Sequence, residues 1–137
     1  MTRYTVLIDG DAGAYGVVFP ELPGCGAMGA TIDEALANSA NALRDWVEVT
    51  LEQGGEPPRP TPPETLRADP EIREGLATGA TLASVLLVRA TGRPAKANLS
   101  IDAGILAALD AEAARRKLTR SAFIELLARH ALPELAS

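Results

Sequence analysis

The segment Lys96-Ala97-Asn98-Leu99-Ser100-Ile101 alternates polar and apolar residues strictly. An extended chain has a side-chain period of two, so if Ala97, Leu99 and Ile101 face a core, then Lys96, Asn98 and Ser100 face outward together. Lys, Asn and Ser are residue types that donate and accept at base edges in the major groove. Further along, Thr119, Arg120 and Ser121 bring two hydroxyls, a guanidinium and free backbone N–H groups to the start of an expected helix, where phosphate binds favourably. Arg115, Arg116, Lys117 and Arg120 lie close together with no acid among them. The chemistry these residues fit is nucleic-acid recognition, with Lys96, Asn98 and Ser100 as base readers and Thr119, Arg120 and Ser121 as phosphate binders.

Other reactive residues form weaker constellations. Two-metal phosphodiester cleavage needs three or four converging carboxylates. Asp9 ends an expected strand, Glu21 follows the next one, and Glu48 sits on a helix, but the apolar run Thr81 to Ala90 carries no acid. The set is incomplete, and Asp9 and Asp11 read more simply as turn formers. Cys25, flanked by Gly24 and Gly26 with no His in its half of the chain, reads as a small semi-buried hydrophobe. One Cys and one His (His130) at opposite ends make neither a disulfide nor a zinc module. No catalytic residue, metal or cofactor is expected. Trp46 lies one position off the apolar stripe of its helix, which leaves open whether it widens the core or faces a partner.

Tyr4 to Ile8 and Tyr15 to Phe19 read as two strands of a hairpin around Asp9-Gly10-Asp11-Ala12-Gly13, and Cys25 to Ala30 as a third strand. Thr31-Ile32-Asp33-Glu34 is a capping box, opening a helix with Leu36, Ala40, Leu43, Val47 and Leu51 on one stripe. Gly54-Gly55 and Pro57-Pro58 end it. Glu56 to Pro70 holds six of the ten prolines and should be extended without regular structure. Asp69-Pro70-Glu71 opens one or two helical turns, and Thr81 to Ala90 is the most strand-like run. Residues 1–92 thus read as a β-β-β-α-β unit of α+β class. Thr91-Gly92-Arg93-Pro94 is a boundary. In residues 94–137 the alternating segment reads as a strand, Asp102 caps a helix to about Lys117, and Thr119 or Ser121 caps a second one stopped at Pro133. One strand and two helices cannot bury their own apolar faces, so this β-α-α module should dimerise strand to strand.

A chain of 137 residues, 47% apolar and 23% charged, has room for one ordinary domain or two small ones. The net charge of −5 argues against indiscriminate binding to nucleic acid or anionic membrane. It is uneven: residues 1–93 carry 13 acidic and 7 basic side chains, residues 94–137 carry 5 and 6. An acidic body with a basic-edged tail suggests two partners of opposite character. The start lacks the order of a signal peptide and no apolar run is long enough to span a membrane, so a soluble, cytoplasmic protein is expected.

The strand, the capped helix, the Thr-Arg-Ser turn and the second helix resemble the ribbon-helix-helix layout. One departure is Lys117, where that family usually has Gly between its two helices; a non-Gly residue in a left-handed conformation costs on the order of 1 kcal/mol. Phe19-Pro20-Glu21-Leu22-Pro23-Gly24-Cys25, followed by Gly29, Thr31, Glu34 and Ala35, resembles the signature of the HicB antitoxin family. That resemblance covers nearly the whole chain. It implies an incomplete RNase H-like fold in the first module, a DNA-binding second module, and as partner HicA, a small basic mRNA-cleaving toxin. It further implies repression of the chain's own operon through operator DNA by a homodimer joined at the C-terminal strand, with pairing into tetramers open. Which residues touch the toxin is not legible. A stand-alone repressor with a ligand-sensing first module is the alternative, and an RNase H-like nuclease a more distant one.

Overall fold

The computed structural model describes residues 2–135. It is of α+β class and divides into two compact units, one of the residues up to Arg89 together with those from Pro133 on, and one spanning Ala90–Leu132.

In the first unit, β1 (Arg3–Asp11), β2 (Ala14–Val18), β3 (Gly26–Gly29) and β4 (Thr81–Leu86) form one antiparallel sheet in the order β3-β2-β1-β4. The turn between the first two strands is tighter than the sequence suggests, because β1 continues through Asp9, Gly10 and Asp11. Gly10 takes φ +99°, and a Cβ there would run into the Ala14 carbonyl across the hairpin, so only glycine fits. α1 (Ile32–Glu52) covers one face of the sheet. The Thr31 hydroxyl accepts from the Glu34 N–H at 3.1 Å, the first half of the expected capping box.

The buried line of α1 is Ala35, Ser39, Leu43 and Val47. Leu43 and Val47 belong to the stripe read from hydrophobicity, while Leu36, Ala40 and Leu51 are half-buried beside it, so the first half of the line is offset by one position. Ser39 explains the offset: it is fully buried, its hydroxyl donating to the Leu36 carbonyl at 2.7 Å, so a polar residue occupies the centre of the core face. Against this line pack Tyr4, Val6, Ile8, Val17, Phe19, Leu22 and Val85.

The proline-rich stretch is extended only in its first part. Tyr4 Oη donates to the Pro58 carbonyl at 2.6 Å, and the Glu21 carboxylate accepts from the Thr61 N–H at 2.9 Å, pinning the strap to the body. A short helix, α2 (Pro63–Leu66), then forms where none is expected from sequence. Two prolines at its start supply preset φ values and need no amide partner. α3 (Pro70–Ala77) follows under its Asp69 cap, and Gly75 lies against Leu7 on the sheet face opposite α1. Leu66, Ile72 and Leu86 are also buried, outside the core cluster under α1.

The second unit holds α4 (Ala103–Arg115) and α5 (Arg120–Leu135) as far as Leu132. Asp102 caps α4, accepting from the N–H groups of Gly104 and Ile105. Lys117 has φ +58°, the left-handed residue of a helix stop in which the Leu118 N–H reaches the Ala113 carbonyl at 2.8 Å and the Lys117 N–H the Ala114 carbonyl at 3.0 Å. Two expectations need correction. The segment 96–101 is not a strand in the single chain, and Ala97 and Leu99 are as exposed as Lys96, Asn98 and Ser100. An isolated strand has no ladder partner and no face to bury, so nothing within one chain can fix it. Pro133 does not stop α5, which continues to Leu135, since a proline one turn from a helix end forfeits only one backbone bond.

Candidate nucleic-acid interface

Lys96, Asn98 and Ser100 lie exposed just before the Asp102 cap. Ile101 is half-buried, the sole residue of the segment that reaches a core side.

Thr119, Arg120 and Ser121 stand at the start of α5, also exposed. Thr119 is the cap, its hydroxyl accepting from the Ala122 N–H at 3.1 Å. Behind the turn, Phe123 is buried, and the Arg116 guanidinium stands over its ring at 5.8 Å from the centroid.

The basic cluster is less open than its sequence suggests. Arg120 makes a two-pronged contact with Asp110, Nε and Nη2 each 2.8 Å from a carboxylate oxygen. Glu112 accepts from Arg115 and, at 2.9 Å, from Arg116. Hydrogen bonds from Arg115 and Arg116 hold the Glu112 carboxyl down to about 2, and that from Arg120 lowers Asp110. Asp110 is the residue that sequence reasoning missed. It precedes Arg120 by ten positions, a spacing with no helical meaning, and only the hairpin between α4 and α5 brings the two together. Lys96 and Lys117 are exposed and outside these ion pairs.

The remaining candidates are scattered. Asp9 is exposed on β1, Glu48 is exposed on α1, and Glu21 is committed to the Thr61 amide. Among the described residues no group of three or more His, Cys, Asp or Glu could hold a metal ion. Cys25 is buried, and desolvation pushes its thiol up to about 11. Trp46 is half-buried and its Nε1 donates to the Pro23 carbonyl at 3.0 Å, so it fastens the Pro20–Gly24 loop to α1. His130 is exposed on α5. No helix among the described residues is long and apolar enough to cross a membrane.

The architecture is therefore an acidic α+β body followed by a helix pair with polar residues displayed at its entry. Residues 4–128 match the family described as "HicB_like antitoxin of bacterial toxin-antitoxin system", a span that includes the sheet, the linker and most of both last helices. The chain belongs to this family of antitoxins. In solved structures it is similar to the Burkholderia pseudomallei antitoxin HicB, at 33% identity over 98% of each chain with a TM-score of 0.53. It is also similar to the antitoxin HicB3, at 26% identity over 93% of this chain and 96% of that one, TM-score 0.55. An uncharacterized 14.9 kDa protein of Haemophilus phage HP1 is 30% identical over 107 residues, 78% of each chain.

Proposed function

We propose that this chain neutralises a HicA-type mRNA-cleaving toxin with its first unit and represses its own operon with its second. Neutralisation is steric and electrostatic occlusion, with no bond made or broken by this chain. The observation that carries the reading is the antitoxin family match running through both units. The acidic balance of residues 1–93 adds complementarity to a basic toxin. The three-stranded meander, long helix and returning fourth strand fit a partial RNase H-like scaffold.

For the second unit, the reading is a ribbon-helix-helix homodimer. Leu99, Ile105 and Leu127 are exposed at 67%, 58% and 41%, while only Ala113 and Phe123 are buried within this unit. A second copy pairing at 96–101 would give each strand its ladder and each helix pair a core, placing Lys96, Asn98 and Ser100 twice on one ribbon face. Two such dimers could then share a tetramer. Operator DNA should contain an inverted repeat, because the protein's two-fold axis imposes one. The test mixes the purified chain with the small basic protein encoded in the adjacent reading frame and follows cleavage of an RNA substrate. Stoichiometric inhibition is expected; undiminished cleavage at excess chain contradicts the proposal.

A further inference from the structure

Between Tyr4 and Leu43 the chain has five acidic residues, Asp9, Asp11, Glu21, Asp33 and Glu34, and no Lys or Arg. This stretch builds β1 beyond Arg3, β2, β3 and the first half of α1. Part of the sheet it builds is left uncovered. The strand register sets Asp9, Gly16 and Met28 in one row across the sheet, with Leu7 and Val18 in the next. Since Val6, Ile8 and Val17 face α1, Asp9, Val18 and Met28 face the other side by strand alternation. Over β1, that side is covered by α3, where Leu7 meets Gly75. Over β2 and β3 it is open: Val18 is 50% exposed and Met28 64%.

The border of this open face is an unpaired strand edge. One residue beyond the Val18–Gly26 pairing, the Phe19 N–H donates to the Cys25 carbonyl at 3.2 Å, a single bond that sets the phase of the ladder where the strands end. Alternation then turns the N–H and C=O groups of Gly26 and Met28 away from β2, toward the free edge. The Asn38 amide confirms the direction by donating to the Met28 carbonyl at 2.8 Å from α1. The Gly26 N–H and C=O and the Met28 N–H remain directed outward. Gly26 and Gly29 carry no side chain, and the Asn38 amide, held by one hydrogen bond at the Met28 carbonyl, is the group an added strand would displace there.

We infer that the β3 edge and the adjoining Val18–Met28 face dock an extended, cationic segment of the toxin, as an added strand. Outward backbone groups of β3 supply the ladder, Val18 and Met28 the apolar contact, and Asp9, Asp11 and Glu34 the charge that selects a basic partner. A second copy of this chain is the disfavoured occupant, because it would set one anionic surface against another. The inference rests on the antitoxin reading and adds the surface.

The test uses the full chain, with Met28→Lys and Val18→Lys as variants and Val49→Lys, on an exposed position of α1, as control. The probe is the small basic protein of the adjacent reading frame with its nuclease activity inactivated, and thermal melts verify that each variant folds. Met28→Lys and Val18→Lys should each weaken the complex at least tenfold, and Val49→Lys less than twofold. Equal binding by all four proteins, or equal weakening by the control, overturns this surface while leaving the antitoxin reading intact. No complex with the unaltered chain overturns both. A drop in the chain's own oligomeric mass on Met28→Lys, measured by light scattering without the probe, assigns the edge to self-association and also overturns the proposal.

Discussion

Arg120 shows how a single ion pair qualifies a functional assignment. Its guanidinium is aimed at Asp110 by two hydrogen bonds, so a phosphate must compete with a carboxylate already in place. Two opposite effects follow. Arg120→Ala should weaken specific and random DNA alike and reduce the salt slope by about one per lost contact. Asp110→Asn, which frees the guanidinium, should tighten random-duplex binding, and titrations at several salt concentrations read both. Glu112 gives a pH signature. Its folded carboxyl lies at about 2, below the ordinary 4.5, so its pairing with Arg115 and Arg116 stabilises α4 fully above about 4.5 and is lost as pH falls toward 2. Carboxyl NMR shifts should place the Glu112 midpoint near that lower value, with the pairing intact at neutral pH; a midpoint at 4.5 contradicts the pairing. Asp110 was not legible because its partner is set by the hairpin and not by local spacing. Lys96, Asn98 and Ser100 are exposed, but so are Ala97 and Leu99, so the alternation that set the three apart has no expression in one chain.

Among the elements, those closed by local chemistry were legible and those completed elsewhere were not. The Thr31 and Asp102 caps, the hairpin glycines and the apolar run of β4 each carry their signal within a few residues. In α1, Leu43 and Val47 were legible as core, whereas Ser39 was not, because a serine whose hydroxyl is satisfied by its own helix does not register as apolar. α2 was hidden by prolines that suit a helix start as well as an extended strap. Residues 96–101 alternate as a strand but lack a partner within the chain, so the pattern has no expression in one copy. The stop between α4 and α5 was legible in its cost: Lys117 occupies the left-handed position at φ +58°. Lys117→Gly should therefore raise the stability of the helix pair by about 1 kcal/mol, read as a higher denaturant midpoint without loss of slope. An unchanged or lower midpoint means that the lysine side chain makes a contribution that offsets its backbone strain.

At the scale of the whole molecule, the chain carries two surfaces of opposite demand: an anionic sheet edge in one unit and a polar, cation-bearing entry to a helix pair in the other. Because each lies within its own unit, damage to one should spare the other. Asn98 offers the sharpest probe, being exposed and remote in sequence from the acidic stretch Tyr4–Leu43. Its amide can bond adenine at two points, so its loss should cost about 1–3 kcal/mol at each specific contact. The decisive measurement titrates Asn98→Ala against the duplex upstream of its own reading frame and against a scrambled duplex, using a preparation whose inhibition of toxin RNA cleavage has been verified. The account expects preference for the upstream duplex to collapse toward that for the scrambled one while inhibition is unchanged. Retained preference would show that the 96–101 segment does not read DNA, and the division of labour between the two units would then be wrong.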